Sequence, residues 1–147
     1  MKKILSVLAL LLSTGIANTF AGTFNIMNIT PCPFQSPGGR GVITDPATGT
    51  PYVFSFGPMT INAGSNAFAN PTLLPGFSTT APAGLQTSGC VTSVYLVGPA
   101  MPSIFMTNTA PSNTYTSTNN PACNGGNNYT INWNTGGNNC DVVLFIF

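Results

Sequence analysis

The closing stretch Tyr129-Thr130-Ile131-Asn132-Trp133-Asn134-Thr135-Gly136-Gly137-Asn138-Asn139-Cys140-Asp141-Val142-Val143-Leu144-Phe145-Ile146-Phe147 decides the fold class. In its first half Tyr129, Ile131 and Trp133 alternate with Thr130 and Asn132, the period of two that sends successive side chains to opposite faces of a strand. Thr135 to Asn138, with Gly136-Gly137 at its centre, turns the chain, and Cys140 to Phe147 returns, so the stretch is predicted to be a β-hairpin. The return strand is apolar on both faces: Val142, Leu144 and Ile146 on one, Val143, Phe145 and Phe147 on the other. Such a strand needs cover on both sides. Within one chain it is a central strand of a sandwich; between chains it is a site of strand exchange or edge addition, which makes Val142, Val143, Leu144, Phe145, Ile146 and Phe147 the candidate assembly strand. A terminal strand of an outer-membrane barrel is excluded, because those alternate apolar and polar residues over ~10 positions.

Working back from the hairpin, every other segment reads as strand or turn. Thr23 to Thr30 puts Phe24 and Ile26 on one face and Met27 and Ile29 on the other. Pro31-Cys32-Pro33 ends it, and Gln35 to Gly39 reads as a loop. Gly41 to Thr44 and Tyr52 to Phe56 flank Asp45-Pro46-Ala47-Thr48-Gly49, whose turn chemistry predicts a second hairpin. Met59 to Asn62 is a short strand stopped by Ala63-Gly64-Ser65, and Phe68 to Gly89 is a long surface connection with one or two poorly defined strands. Cys90 to Val97 and Ser103 to Thr109 are strands rich in β-branched and aromatic residues. Pro111 to Gly126 is almost wholly polar and reads as a loop tied down by a disulfide. With 13 Pro and 16 Gly spread along the chain and no sustained helical period, the expectation is an all-β fold. Its class is an immunoglobulin-like or jelly-roll β-sandwich of about seven to eight strands, occupying residues 22–147 as a single domain.

Residues 1–21 have the form of a cleaved signal peptide: Lys2 and Lys3, an apolar run from Ile4 to Leu12, and Thr19-Phe20-Ala21 as the small-x-small cleavage site. The expected product is secreted or held at the cell surface. It keeps only Arg40, Asp45 and Asp141 as charged side chains. One cation offers no basic surface for nucleic acid or anionic lipid, and the longest apolar run, Val142 to Phe147, is far short of the ~20 residues of a spanning helix. Disorder is excluded by a 43% hydrophobic composition with well-spread aromatics.

The four cysteines, Cys32, Cys90, Cys123 and Cys140, have no CxxC spacing and no His beside them, so in an exported chain they read as two disulfides rather than zinc ligands. Three connectivities are open. Catalysis fails on inventory: with no His, no Glu and no mature Lys, the groups that usually move protons are missing, so no enzyme and no cofactor is expected. Two residues stand out as ligand contacts. Arg40, in Gly38-Gly39-Arg40-Gly41, offers a guanidinium to a carboxylate or sugar hydroxyl unless it pairs with Asp45, and Tyr115 offers a stacking ring from its polar loop. Among the other aromatics, Trp133 and Tyr129 read as core. The triplets Asn28-Ile29-Thr30 and Asn128-Tyr129-Thr130 read as chance matches to the glycosylation pattern.

Phe24-Asn25-Ile26 followed by Cys32, Ile61-Asn62-Ala63-Gly64-Ser65 in mid-chain, and the closing Tyr129-Thr130-Ile131-Asn132-Trp133 hairpin resemble the small exported β-sandwich proteins of Bacteroidota, whose role is unknown. In size and in its low-charge, Thr/Asn/Gly-rich composition the chain is also similar to chaperone–usher pilin subunits. It departs from them where they carry an aromatic next to last, since that position is Ile146. Near-zero charge removes the usual barrier to association. The leading expectation is therefore a non-catalytic structural protein, a subunit of an extracellular fibre or surface assembly whose partners are copies of itself or another surface protein. The competing expectation is a secreted carbohydrate-binding module.

Overall fold

A computed structural model of the protein describes residues 21–136 and 138–147. The expected signal peptide, apart from Ala21, lies outside the described residues. Eleven strands follow along the described chain: β1 (Phe24–Asn28), β2 (Phe34–Thr44), β3 (Pro51–Phe56), β4 (Met59–Ile61), β5 (Gly64–Phe68), β6 (Ser78–Thr79), β7 (Cys90–Val97), β8 (Ile104–Thr107), β9 (Thr114–Thr116), β10 (Thr130–Thr135) and β11 (Val142–Ile146). They form two sheets. The first runs β5-β1-β11-β10-β9; the second runs β6-β3-β2-β7-β8, with β4 pairing β2 off that path. All pairings are antiparallel except one: β1 lies parallel to β11, Phe24 opposite Val142 and Asn28 opposite Ile146.

Strand alternation builds the core between the sheets. Phe24 and Ile26 of β1, Ile131 and Trp133 of β10, and Val142, Leu144 and Ile146 of β11 point inward from the first sheet. Phe34, Ile43, Phe54, Phe56, Val91, Val94 and Leu96 meet them from the second. Rings carry much of the contact across the gap: Phe24 lies 6.0 Å from Phe56, and Phe34 meets Tyr129 edge-on at 5.0 Å. Full burial of one such side chain stabilises by about 1.5–3 kcal/mol before its lost entropy is counted. Trp133 and Tyr129 are core, as their alternation implies. The Tyr129 hydroxyl donates to the Pro99 carbonyl at 2.8 Å, whereas the buried Trp133 Nε1 has no acceptor.

The disulfides join Cys32 to Cys123 and Cys90 to Cys140. Of the three connectivities this is the interleaved one, and its bridges staple opposite ends of the sandwich. Cys90 opens β7 in the second sheet and Cys140 precedes β11 in the first, near the start of β1, where the Gly22 N–H donates to the Gly89 carbonyl. Cys32 sits beyond the other end of β1 and reaches the segment before β10. There the buried Asn28 holds the chain: its Nδ2 donates to the Cys32 carbonyl, and its Oδ1 accepts from both the N–H and the hydroxyl of Thr30.

Four sequence expectations need correction. The strand count among the described residues is 11, not seven to eight, because β5, β6 and β9 are short polar edge strands with no apolar alternation to announce them. Gln35 to Gly39 is not a loop but the first half of β2, held between β4 and β7. The supposed turn Ala63-Gly64-Ser65 already belongs to β5, which pairs with β1. Within Pro111 to Gly126, Thr114–Thr116 pairs with β10; the rest is loop with one 3-10 turn, Ala122–Asn124, anchored by Cys123. The two hairpins, β2–β3 and β10–β11, form where expected.

Candidate functional site

The six residues of the candidate assembly strand divide by face. β11 is hydrogen-bonded along both edges, to β1 and to β10, so it is a central intramolecular strand with no free edge to exchange. Val142, Leu144 and Ile146 are fully buried in the core. Val143, Phe145 and Phe147 point the other way, onto the outer face of the first sheet, where Val143 and Phe147 are 36% and 42% exposed. The sandwich therefore covers one apolar face of this strand and leaves the other open.

Register carries that open face sideways. Residues directly opposite in a sheet share a face, and Phe145 lies opposite Met27 of β1. Ile29 follows on, its N–H donating to the Ile146 carbonyl. Met27 is 42% and Ile29 63% exposed, and the Phe145 and Phe147 rings stack at 4.8 Å. Met27, Ile29, Val143, Phe145 and Phe147 thus make one apolar stripe across the parallel pair at the centre of the sheet. An uncharged border flanks it. Asn132 and Thr130 of β10 lie beside Phe145 and Phe147, and their side chains bond to Thr114 and Thr116 of β9. On the other side Ser65 and Ala67 of β5 lie opposite Met27 and Asn25. The two apolar faces of Thr23 to Thr30 are readable in the sequence; the parallel placement of that strand beside β11 is not, since nothing local specifies it.

The two expected ligand contacts are not brought together. Arg40 is exposed on the outer face of the second sheet, opposite Ser55 of β3. Tyr115 is in the first sheet, and its setting corrects the expectation: it lies on β9 opposite Ile131, half-buried against the core, not on a polar loop. Asn28 is fully buried, and Asn128 is exposed but just precedes β10 rather than lying in a strand.

Each carboxylate is tied into its own surroundings. Asp45 accepts from the Ala47 N–H and the Thr48 hydroxyl, Asp141 from the N–H and hydroxyl of Thr23, and these bonds hold both below the usual carboxylate range. Arg40 therefore does not find its partner in Asp45 across the hairpin. Burial, with Tyr115 nearby, pushes the Tyr129 phenol up to about 12. The pH profile of stability follows. Depressed carboxylates add stability that is present above their ordinary pKa and lost as pH falls through it; a raised phenol adds stability present below about pH 10 and lost as pH rises toward the folded value. With no His in the chain, thermal melts are expected to be flat between about pH 5 and 9 and to fall on both sides. A steep change inside that window would contradict this assignment.

All four cysteines are consumed by disulfides, which fits an extracellular protein. Among the described residues no helix is long and apolar enough to cross a membrane. No protein-family model matches the chain, and neither the curated proteins nor the solved structures give a significant match.

Proposed function

We propose that the protein is an exported, non-catalytic structural subunit that associates with copies of itself through the outer face of its first sheet, as part of an extracellular fibre or surface assembly. The observation that carries this reading is the stripe of Met27, Ile29, Val143, Phe145 and Phe147, open on the outside of a parallel strand pair. An apolar stripe left open on a sheet and rimmed by polar residues marks an interaction surface. The partner is a second copy because the side chains of the stripe and of its Thr/Asn border are uncharged, so a copy's side chains meet them without repulsion. Of the three charged residues in 22–147, Arg40 and Asp45 belong to the second sheet and its hairpin, and Asp141, just before β11 at the end of the stripe, is tied to Thr23.

Face-to-face packing about 10 Å apart is the usual way two sheets cover each other. By two-fold symmetry the five side chains are covered on both protomers, ten in all, and that gain must exceed the cost of association, about 4–15 kcal/mol. A two-fold contact alone stops at a dimer; growth into a fibre or layer uses a second contact, for which the outer strands β5, β6, β8 and β9 supply unpaired edges. The signal-like start supports export. The absence of His and Glu from the sequence and the local engagement of Asp45 and Asp141 support a non-catalytic role.

Sedimentation velocity on the oxidised protein tests this. The wild type is expected to shift to dimers or larger species as concentration rises, and the Phe145→Ser/Phe147→Ser double variant to stay monomeric with its melting temperature changed by only a few degrees. A wild type that stays monomeric throughout, or a variant that associates equally well, would overturn the reading.

A further inference from the structure

The outer face of the second sheet carries a different feature. A groove of about 280 Å³ runs there, bordered by Arg40, Val42, Val53, Thr92, Tyr95 and Phe105. A second hollow of about 270 Å³ adjoins it, bordered by Pro37, Ser55 and again by Arg40 and Tyr95. Arg40 and Tyr95 thus stand between two neighbouring depressions. Tyr95 and Phe105, cross-strand partners on β7 and β8, hold their rings 4.9 Å apart and are 47% and 42% exposed.

Arg40 is the only cation in residues 22–147, and both carboxylates there are engaged elsewhere, Asp45 in its own turn and Asp141 with Thr23 in the other sheet. Among the described residues no carboxylate meets this guanidinium. A ligand that does so bidentately gains charge-assisted hydrogen bonds with defined geometry. Beside the cation, the negative faces of two aromatic rings attract the polarised C–H bonds of a saturated ring. The hydroxyls of Thr92 and Ser55 border the same ground. A carboxylate next to a flat C–H face with hydroxyls around its rim describes one chemical class.

We infer that this groove binds an acidic sugar, a uronic-acid unit of an extracellular polysaccharide, with its carboxylate on Arg40 and its ring on Tyr95 and Phe105. Two adjoining hollows sharing Arg40 and Tyr95 suit consecutive units of a linear chain better than a single small molecule. The site lies on the sheet opposite the apolar stripe and does not depend on self-association.

Calorimetric titration of the oxidised protein with galacturonate oligomers, their methyl esters and an oligo-aspartate peptide tests the inference. The free-acid oligomers are expected to bind, and the methyl esters to bind at least about ten-fold more weakly, as is the Arg40→Gln variant with the acids. Tyr95→Ala is expected to abolish binding, and Phe145→Ser/Phe147→Ser to leave it unchanged. Arg40 is exposed, so the Gln variant keeps its fold, checked by an unchanged melt. No binding of the acid oligomers, equal binding of acids and esters, indifference to Arg40→Gln, or equal binding of the peptide would each overturn it.

Discussion

Reduction of the two disulfides is expected to leave the protein unfolded at about 37 °C. Cys32–Cys123 spans a sequence separation of 91 and Cys90–Cys140 one of 50. On the chain-entropy model each closure stabilises by about 4–5 kcal/mol, against a total of about 5–15 kcal/mol for a typical domain. The loops interleave, so the two contributions are not additive, but even one is a large share of the whole. Their placement sharpens the expectation. One bridge holds the end where β1 and β11 begin, the other the end where Asn28 and Tyr129 are buried, and among the described residues neither end has a salt bridge or an α-helix to replace it. Circular dichroism with and without reductant checks this, together with the Cys90→Ala/Cys140→Ala variant. A reduced protein that still melts cooperatively within a few degrees of the oxidised one would contradict it.

Gly41→Ala is the second change with a large expected effect. Gly39 and Gly41 of β2 lie opposite Phe56 and Phe54 of β3, and each ring lies across the glycine it faces. A Cβ on Gly41 would sit 2.1 Å from Phe54 Cζ and 2.4 Å from the Cys90 carbonyl oxygen; on Gly39 it would sit 2.2 Å from Phe56 Cζ. The ring cannot retreat into a filled core, and the carbonyl belongs to the neighbouring strand. Overpacking of this kind costs about 1–3 kcal/mol and sometimes more, and the backbone contact places Gly41 at the top of that range. Gly84 is the control, because a Cβ there meets nothing within 4 Å, and Gly84→Ala is expected to stay within about ±0.5 kcal/mol. Urea unfolding midpoints compare the two. Equal stability of Gly41→Ala and Gly84→Ala would contradict the account of β2.

The same glycines explain why part of the fold was hidden in the sequence. Gly38-Gly39-Arg40-Gly41 has the composition of a loop, yet it forms the middle of the longest strand, since side chains from β3 fill the space the glycines leave. Where apolar alternation is strong, as in Cys90–Val97 and the closing hairpin, local pattern and tertiary structure agree. β5 and β9 hold their places by backbone pairing to apolar neighbours, and Gly64-Ser65-Asn66-Ala67-Phe68 gives no period of its own. The open face was half legible. The two-sided apolar character of Val142 to Phe147 is a sequence property; which side stays open depends on β1 crossing from the start of the chain to lie parallel beside it. Tyr115 shows the opposite case, a ring in a polar stretch that the pairing of β9 with β10 turns toward the core. Arg40 stands out by being alone, but its neighbours Tyr95 and Phe105 join it only through the register of three strands.

The central claim is that a second copy covers the outer face of the first sheet. Methyl NMR with a soluble paramagnetic probe reads that face directly, at dilute and at high protein concentration. The account predicts that the methyls of Met27, Ile29 and Val143 relax quickly in the dilute sample and become protected as concentration rises, while Val53 and Val97, exposed on the second sheet, stay accessible throughout. Methyls of Met27, Ile29 and Val143 that remain equally accessible at every concentration would contradict it.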